Sequence, residues 1–194
     1  MNTFYIRATY DNKMSLEVVV GPMFSGKSSY ALAYVRRQRA IGKRVIVIKP
    51  NIDNRYTNES IMITHDGESV KCLNWDTNVE LCAFAYGQEY DCIVIEEAQF
   101  FKHLQHACYG FVFELKKDVL VVGLDGDANR NKFGEVLDCI PYATSVTKLN
   151  SLCSLCRDGT LAPFTKKINM DIENHQQVDV GGAEKYIAVC LKHL

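Results

Sequence analysis

The sequence lacks the features that mark several large classes of protein. Its apolar runs, such as residues 120–124, are far shorter than the roughly 20 residues that cross a bilayer. Residues 1–15 contain neither the apolar core nor the cleavage site of a signal peptide. The formal net charge is only -1 and there is no basic stripe, which argues against a broad surface for nucleic acid or anionic lipid. We therefore expect a soluble cytoplasmic protein without a membrane or nucleic-acid partner.

Eight cysteines are the unusual part of an otherwise ordinary composition. Hydrophobic residues make up 47% and charged residues 23% of the 194 residues, which excludes a disordered chain. A chain of this length buries about 70% of the surface that its unfolded form exposes, so it needs no disulfides to hold a core. Because a secretion signal is missing, the cysteines are expected to be reduced thiols or metal ligands.

Two closely spaced pairs near the C-terminus predict a metal site. Two residues separate Cys153 from Cys156, and two residues separate Cys190 from His193. Such turns can supply all four ligands of one tetrahedral, structural Zn²⁺ and leave no open position for catalysis. A redox Cys-x-x-Cys motif is the competing interpretation, but it leaves the second pair unexplained. The other cysteines have no comparable spacing and are expected to be buried thiols: Cys72, Cys82, Cys92, Cys108 and Cys139.

Apolar strands alternate with helical segments over most of the chain. This alternation is typical of an α/β fold, in which helices cover both faces of a parallel sheet. After about residue 148 the pattern changes to short segments rich in turn residues. The predicted strands cover 16–20, 44–48, 91–101 and 118–126, and the predicted helices cover 28–41 (ended by Gly42), 78–87 and 101–116.

Residues 21–28, GPMFSGKS, fit the pattern G-x-x-x-x-G-K-[ST] of a P-loop. They lie between a predicted strand and a predicted helix, the context in which this motif binds phosphate. Glycines let backbone N–H groups converge on an anion, and the helix N-terminus adds its positive end. Lys27 is expected to reach the β- and γ-phosphates of a nucleotide, and the Ser28 hydroxyl to ligate Mg²⁺. The predicted ATP-binding residues of the loop are Gly21, Pro22, Met23, Phe24, Ser25, Gly26, Lys27 and Ser28.

Two carboxylates, Glu96 and Glu97, follow the apolar residues 92–95. In a parallel sheet, the carboxyl end of such a strand lies beside the bound phosphates. Glu96 is expected to hold Mg²⁺ through water, and Glu97 to act as a general base toward an attacking hydroxyl. A solvated loop is the alternative for two adjacent carboxylates, and the neighbouring P-loop makes it the weaker one.

The P-loop, the acidic strand end followed by AQFF (98–101), and the zinc pairs with VDVGGAEKY (178–186) together resemble the type II (tetrameric) thymidine kinases. The resemblance covers about residues 16–193 and implies transfer of the ATP γ-phosphate to the 5′-hydroxyl of thymidine. It also implies Mg²⁺, a structural Zn²⁺ and a homotetramer. The chain ends one residue after His193, which resembles viral or bacterial members more than animal members with long tails.

The same resemblance implies a domain organisation and roles for individual residues. An N-terminal arm (1–15) would precede a RecA-like P-loop domain (16–148) and a small zinc-binding domain (149–194) that carries a nucleoside-binding lasso loop. Glu97 matches the family's general base, and Lys27 and Arg55 match groups that stabilise charge on the transferred phosphoryl group. The further ATP-binding matches are Asp53, Asn54, Arg55, Glu96 and Gln99. The nucleoside-binding matches are Met23, Phe100, Leu124, Ala128, Phe133, Thr165, Tyr186 and, in the lasso, Gln177, Val178, Asp179, Val180 and Gly181.

The chain departs from the family pattern at a few positions. Glu96 and His193 stand where the family has Asp and Cys, and both can keep their ligand roles. Ala128 replaces an aromatic residue, which thins one wall of the nucleoside pocket and bears on nucleoside discrimination. The remaining departures are Ala98 for glycine and Lys132 for proline.

Three other functions fit parts of the sequence. A nucleoside monophosphate kinase can carry zinc in a lid, but such lids are short mid-chain inserts rich in arginine, whereas residues 157–192 contain one arginine. A P-loop ATPase with a zinc module for nucleic acid would need a basic surface. A non-catalytic nucleotide-binding protein would not need Lys27, Ser28 and Glu97 together.

Overall fold

The structure is a computed structural model that describes residues 14–51, 61–63, 67, 69–82, 90–168, 177 and 181–194. Its centre is a six-stranded sheet, and every pairing between neighbouring strands of that sheet is parallel. The strands are β1 (Leu16–Val20), β2 (Val45–Pro50), β5 (Leu73–Trp75), β6 (Cys92–Ile95), β7 (Asp118–Gly123) and β8 (Ser145–Lys148). Their order across the sheet is β5-β2-β6-β7-β1-β8.

Successive side chains of the central strands point to opposite faces of the sheet and build two cores. On one face, Val19 packs with residues of α1 (Lys27–Ala40). On the other face, Val18 and Val20 pack with residues of α2 (Leu104–Tyr109) and of the π-helical turn Gly110–Glu114 that continues it. The predicted α/β fold with a parallel sheet is therefore confirmed, and the helices predicted at 28–41 and 101–116 are present.

The end of α1 follows the predicted chemistry. Gly42 adopts φ 82°, a left-handed conformation that glycine enters without a Cβ penalty. Its N–H donates to the Arg39 carbonyl, one of the groups in the last turn that have no hydrogen-bond donor within the helix. Of the predicted helix at 78–87, residues 83–87 lie outside the described part of the chain, and among 78–82 only Cys82 is helical.

The strands that the sequence does not predict are short or exposed. A hairpin pairs β3 (Ile61–Ile63) with β4 (Ser69–Lys71), and β5 adds three residues to the edge of the main sheet. The opposite edge is β8, which contains one apolar residue, Val146, and exposes it. Edge strands bury little, so the run of apolar residues that indicates a buried strand is missing.

Residues 151–168 and 181–194, which we call the zinc region, form a smaller unit after the sheet. They contain β9 (Ser151–Leu152), β10 (Leu161–Ala162), β11 (Phe164–Lys167) and β12 (Tyr186–Val189), paired as two antiparallel two-stranded sheets. The predicted domain boundary between residues 148 and 149 stays a prediction. In the part of the chain that the structure describes, no helix has the length and apolar character needed to cross a membrane.

Candidate functional site

The predicted P-loop joins the end of β1 to the start of α1. A Cβ on Gly21 would lie 2.4 Å from the Leu149 carbonyl oxygen, so the close approach of these two backbones requires glycine. Gly26 precedes the helix with φ 82°. Within the described chain, no side chain caps this helix and its first turn carries no acidic residue. The first N–H groups of α1 are therefore oriented toward an anion at the loop.

Lys27 lies folded over the loop and among carboxylates. Its Nζ donates a hydrogen bond to the Pro22 carbonyl oxygen at 2.6 Å. Burial lowers the pKa of Lys27, while the nearby carboxylates of Glu97, Glu96 and Asp125 favour its charged form. The sequence-distant acidic residues therefore face the P-loop lysine, as the predicted site requires.

Ser28 and Glu96, the two predicted magnesium ligands, are in direct contact. The Ser28 hydroxyl donates to Oε1 of Glu96 at 2.5 Å, and Glu96 is only 6% exposed. Burial and the adjacent Glu97 raise the pKa of Glu96 to about 7, although the Ser28 hydroxyl and Lys27 favour the ionised form. Hydroxyl and carboxylate oxygens are ligands that Mg²⁺ accepts, and a cation here would offset the cost of burying the Glu96 charge.

Glu97 leaves the end of β6 in an unusual backbone conformation. Its φ is 51°, in the left-handed region, and a 3₁₀ turn at Ala98–Phe100 follows. Such conformations cost on the order of 1 kcal/mol or more and are concentrated at functional sites. Oε2 of Glu97 accepts a hydrogen bond of 2.6 Å from the side-chain amide of Gln99. The residue predicted to be the base is thus turned out of the strand and held by a neighbour.

Gln99, a predicted ATP-binding residue, contacts two other predicted site residues. Besides the bond to Glu97, its Oε1 accepts the backbone N–H of Leu124 at 3.0 Å. Gln99 is 4% exposed and therefore belongs to the support of the site. Its contacts connect the end of β6 to the residue that follows β7.

The predicted nucleoside-binding residues that the structure describes lie on several separate segments of the chain. The rings of Phe100 and Phe133 meet edge to face with centroids 5.4 Å apart. The Thr165 hydroxyl on β11 accepts the Met23 N–H of the P-loop at 2.9 Å, which ties the zinc region to that loop. Tyr186 is buried in β12, whereas Leu124 and Ala128 are half-buried in the loop after β7. Gly181 is buried just before β12.

The loop after β7 holds one lasso residue. Nε2 of Gln177 donates to the Asp127 carboxylate and to the Lys132 carbonyl oxygen, both at 3.0 Å. Oδ1 of Asp127 also accepts the N–H groups of Asn129 and Asn131. Gln177 is therefore seated on this loop by its side chain. The other predicted residues of the site lie outside the described part of the chain: Asp53, Asn54, Arg55, Val178, Asp179 and Val180.

Cys153, Cys156, Cys190 and His193 come together at one point in the zinc region, with all ligand atoms within 4.8 Å of one another. The distance from Nδ1 of His193 to the three sulfurs is 3.4 to 3.5 Å, and the Sγ atoms of Cys156 and Cys190 are 3.7 Å apart. A tetrahedral Zn²⁺ with ordinary bond lengths separates its ligands by about 3.5 Å (N to S) and about 3.8 Å (S to S). These residues therefore fit a Cys₃His zinc site.

The backbone prepares one of these thiols for a metal. Burial raises the pKa of the Cys153 thiol, but hydrogen bonds from neighbouring backbone N–H groups and from His193 lower this pKa to about 5. One of these donors is the Cys190 N–H, 3.4 Å from the Cys153 sulfur. The thiolate is the form that binds zinc.

Asp127 and an ion pair near the P-loop contribute to the site although the sequence does not predict them. Asp127 is 9% exposed and organises the loop after β7. Nζ of Lys148 at the end of β8 lies 2.7 Å from the Asp125 carboxylate. The only signal for Asp127 is the run GDANRN (126–131), which favours a turn and does not distinguish a buried aspartate from a solvated one.

The comparisons with known proteins agree with this geometry. Residues 14–194 match the family profile described as thymidine kinase. The chain is 39% identical to thymidine kinase a of Arabidopsis thaliana, over 92% of this chain and 74% of that protein. It is 35% identical to the thymidine kinase of Choristoneura fumiferana entomopoxvirus (91% and 94% covered) and 36% identical to the cytosolic thymidine kinase of Bos taurus (90% and 69% covered).

Proposed function

Because the chain belongs to the thymidine kinase family, we propose that it transfers the γ-phosphate of ATP to the 5′-hydroxyl of thymidine. The observation that carries the proposal is the meeting of the P-loop with the end of β6, where Ser28 contacts Glu96 and Lys27 faces both glutamates. A phosphate-binding loop and a carboxylate base are then on the same edge of the sheet. That edge is where parallel α/β sheets bind their ligands.

The P-loop would bind the phosphates of ATP with its backbone N–H groups and the N-terminus of α1. Lys27 would leave its hydrogen bond with Pro22 and place its charge on the β- and γ-phosphates. Ser28 and Glu96 would hold Mg²⁺, which supplies neutralisation of phosphate charge when it is bound. Arg55 keeps its predicted role of stabilising charge on the phosphoryl group.

Glu97 would accept the proton of the nucleoside 5′-hydroxyl. The hydroxyl oxygen forms a bond to the γ-phosphorus, and the bond between that phosphorus and the oxygen it shares with the β-phosphorus breaks. The products are ADP and the nucleoside monophosphate, and the proton remains on the Glu97 carboxylate until it passes to water.

The nucleoside would lie between the P-loop, the Phe100–Phe133 pair and the lasso. Phe100 and Phe133 offer apolar surface for a base, and the lasso offers backbone donors and acceptors for its polar edge. The zinc site follows the ends of β9 and β12, so Zn²⁺ would fix the strand to which the lasso returns, β12, and through it the paired strand β11, after which the lasso begins. A lasso that is already fixed loses less conformational entropy when the nucleoside binds, so the nucleoside binds more tightly.

A homotetramer in the cytoplasm completes the proposal. Tyr109, Phe113 and Tyr142 form an exposed aromatic cluster with centroid separations of 5.0 to 6.2 Å. Exposed apolar patches of this kind favour association. The bovine relative is named as cytosolic. Light scattering coupled to size exclusion measures the assembly, and a monomeric mass would contradict it.

Phosphoryl transfer itself tests the function. The protein is incubated with γ-labelled ATP, Mg²⁺ and, in separate reactions, thymidine, thymidylate, deoxycytidine or single-stranded DNA. Label on thymidine alone is the expected result. Label on thymidylate would identify a monophosphate kinase, and DNA-stimulated ATP hydrolysis without transfer would identify an ATPase. Label on deoxycytidine would show that the nucleoside range extends beyond thymidine.

A further inference from the structure

We propose that Gln99 is a positioning residue for Glu97. Its side-chain amide fixes the position of the Glu97 carboxylate relative to Leu124, in the wall of the nucleoside pocket. This inference rests on the proposed function, because it takes Glu97 as the base. It replaces the predicted role of Gln99 in ATP binding with a contact to the acceptor side of the reaction.

The hydrogen bonds fix the orientation of the amide. The Leu124 N–H can only donate, so it takes Oε1 of Gln99 at 3.0 Å. Nε2 is left as a donor, and it points to Oε2 of Glu97 at 2.6 Å. A hydrogen bond to an ionised acceptor is stronger than one between two neutral groups. It engages Oε2 and leaves Oε1 of Glu97 for the nucleoside hydroxyl.

Two glycines surround this glutamine closely. A Cβ at Gly134 would lie 2.2 Å from the Gln99 carbonyl oxygen, and a Cβ at Gly123 would lie 2.8 Å from its Oε1. Gly134 also adopts φ 60°, which disfavours any residue with a side chain. Gly134 therefore lies directly against the backbone of Gln99, and Gly123 lies directly against its amide oxygen. A side chain fixed in this way can hold a partner within a fraction of an ångström.

Glu97 needs such a partner more than most bases do. It stands outside the strand with a left-handed φ of 51°, and its flexible side chain has several rotamers available. The Gln99 bond selects one of them. Since Leu124 shares the same amide, a shift of the pocket wall would move the base with it. Misplacement of a reacting group by about 1 Å can cost roughly 100-fold in rate.

Substitutions at Gln99 can separate its two bonds. Gln99→Met keeps the length of the side chain and removes both. Gln99→Glu keeps an acceptor for the Leu124 N–H but replaces the donor to Glu97 with a second carboxylate, which repels the base. We expect both variants to lower kcat by about 10- to 100-fold, with the KM for ATP unchanged. The matched control is Gln105→Met, a half-buried glutamine of α2 outside the site, which should keep wild-type turnover.

A double-mutant cycle with Glu97→Gln tests the proposal. If Gln99 acts through Glu97, adding Gln99→Met to the Glu97→Gln enzyme should cost less than twofold further in kcat. Costs that multiply would mean that Gln99 acts independently, and would overturn the inference. A rise in the KM for ATP with normal kcat would do the same and would support the predicted ATP contact.

The outcomes also distinguish this inference from the proposed function. If Glu97→Gln alone keeps near-normal turnover, the assignment of the base fails. If Glu97→Gln loses about 100-fold or more while Gln99→Met stays active, only the positioning role fails. Thermal melting of each variant shows whether it is folded, and Gln99→Glu provides the second variant if Gln99→Met is not.

Discussion

The sheet region (residues 16–148) and the zinc region of this chain are held together in different ways. The sheet has a separate core on each face, and Val18, Leu120 and Val121 are completely buried in its central strands. The zinc region buries only five residues in its own cluster, and two of them are the ligands Cys153 and Cys190. It also leaves leucines in contact with water, Leu161 at 59% and Leu191 at 75% exposure. A unit so small is poorly stabilised by apolar burial alone, and a metal at the Cys₃His cluster would supply what is missing.

The two regions meet at the P-loop. The Met23 N–H donates to Thr165 of the zinc region, and the Phe24 ring packs against the small cluster there. On the other side, the Leu149 carbonyl fills the space beside Gly21. The loop that is predicted to bind ATP therefore contacts both the sheet and the unit that is predicted to carry the lasso. Because the two regions are stabilised differently, we expect the zinc region to lose order without the sheet region, and such a loss would affect catalysis through the P-loop.

Removing zinc should have the largest effect and should fall on one region. Structural zinc supplies on the order of 10 kcal/mol in small metal-dependent folds. We expect a chelator, or Cys156→Ser, to abolish amide protection in β11 and β12 and to abolish thymidine binding, while β1 and β7 stay protected. Hydrogen exchange read by mass spectrometry measures this, and metal analysis should find one Zn²⁺ per chain. The control is Cys82→Ser, outside the cluster.

Loss of protection throughout the chain would show that the sheet region depends on the metal as well. Loss nowhere would show that the cluster of Cys153, Cys156, Cys190 and His193 is not a zinc site. Either result would show that the two regions do not differ in how much they depend on the metal.

Truncating one leucine in each region should show where apolar burial contributes. Leu120 on β7 is fully buried, and Leu120→Ala should lower the free energy of unfolding by about 2 to 5 kcal/mol through lost burial and the cavity it leaves. Leu161→Ala, at an exposed position of the zinc region, should change it by less than about 0.5 kcal/mol. Urea denaturation followed by circular dichroism measures both. Equal losses would mean that Leu161 is covered in solution.

The pH dependence of stability should reveal the cost of Glu96 within the sheet region. Its folded pKa of about 7 lies above the ordinary value of 4.5. Its favourable contribution is therefore complete below pH 4.5 and is lost as the pH rises through 7. The measurement is made without Mg²⁺. We expect the free energy of unfolding to fall between pH 4 and 8 in the wild type, by on the order of 3 kcal/mol more than it does in Glu96→Gln. Parallel pH curves for the two proteins would contradict the raised pKa.

Mg²⁺ gives a second measurement of the same group. With ATP present, Mg²⁺ should restore stability at pH 8 in the wild type, because a cation compensates the buried charge. The Glu96→Gln protein should gain less.

The two regions also differ in how far the sequence predicts them. Buried parallel strands contain continuous apolar runs, so β1, β6 and β7 and the P-loop between β1 and α1 follow from the sequence. The zinc ligands follow from their spacing. The exposed edge strand β8 and the short strands of the zinc region do not, because their residues pack on few neighbours. The contacts of Gln99 and Asp127 depend on segments brought together from distant parts of the chain, and local sequence contains no signal for them.

Cutting the contact between the regions should have the smallest effect on stability. Thr165→Val keeps the shape of the side chain and removes the acceptor of the Met23 N–H, which leaves a half-buried donor without its protein partner. A typical hydrogen bond contributes about 1 kcal/mol, and we expect a loss of that size together with faster exchange of the Met23 amide. Thr165→Ser retains the hydroxyl and should keep Met23 protected. If Thr165→Ser exposes Met23 while Thr165→Val keeps it protected, packing of the threonine methyl group, and not the hydrogen bond, joins the zinc region to the P-loop.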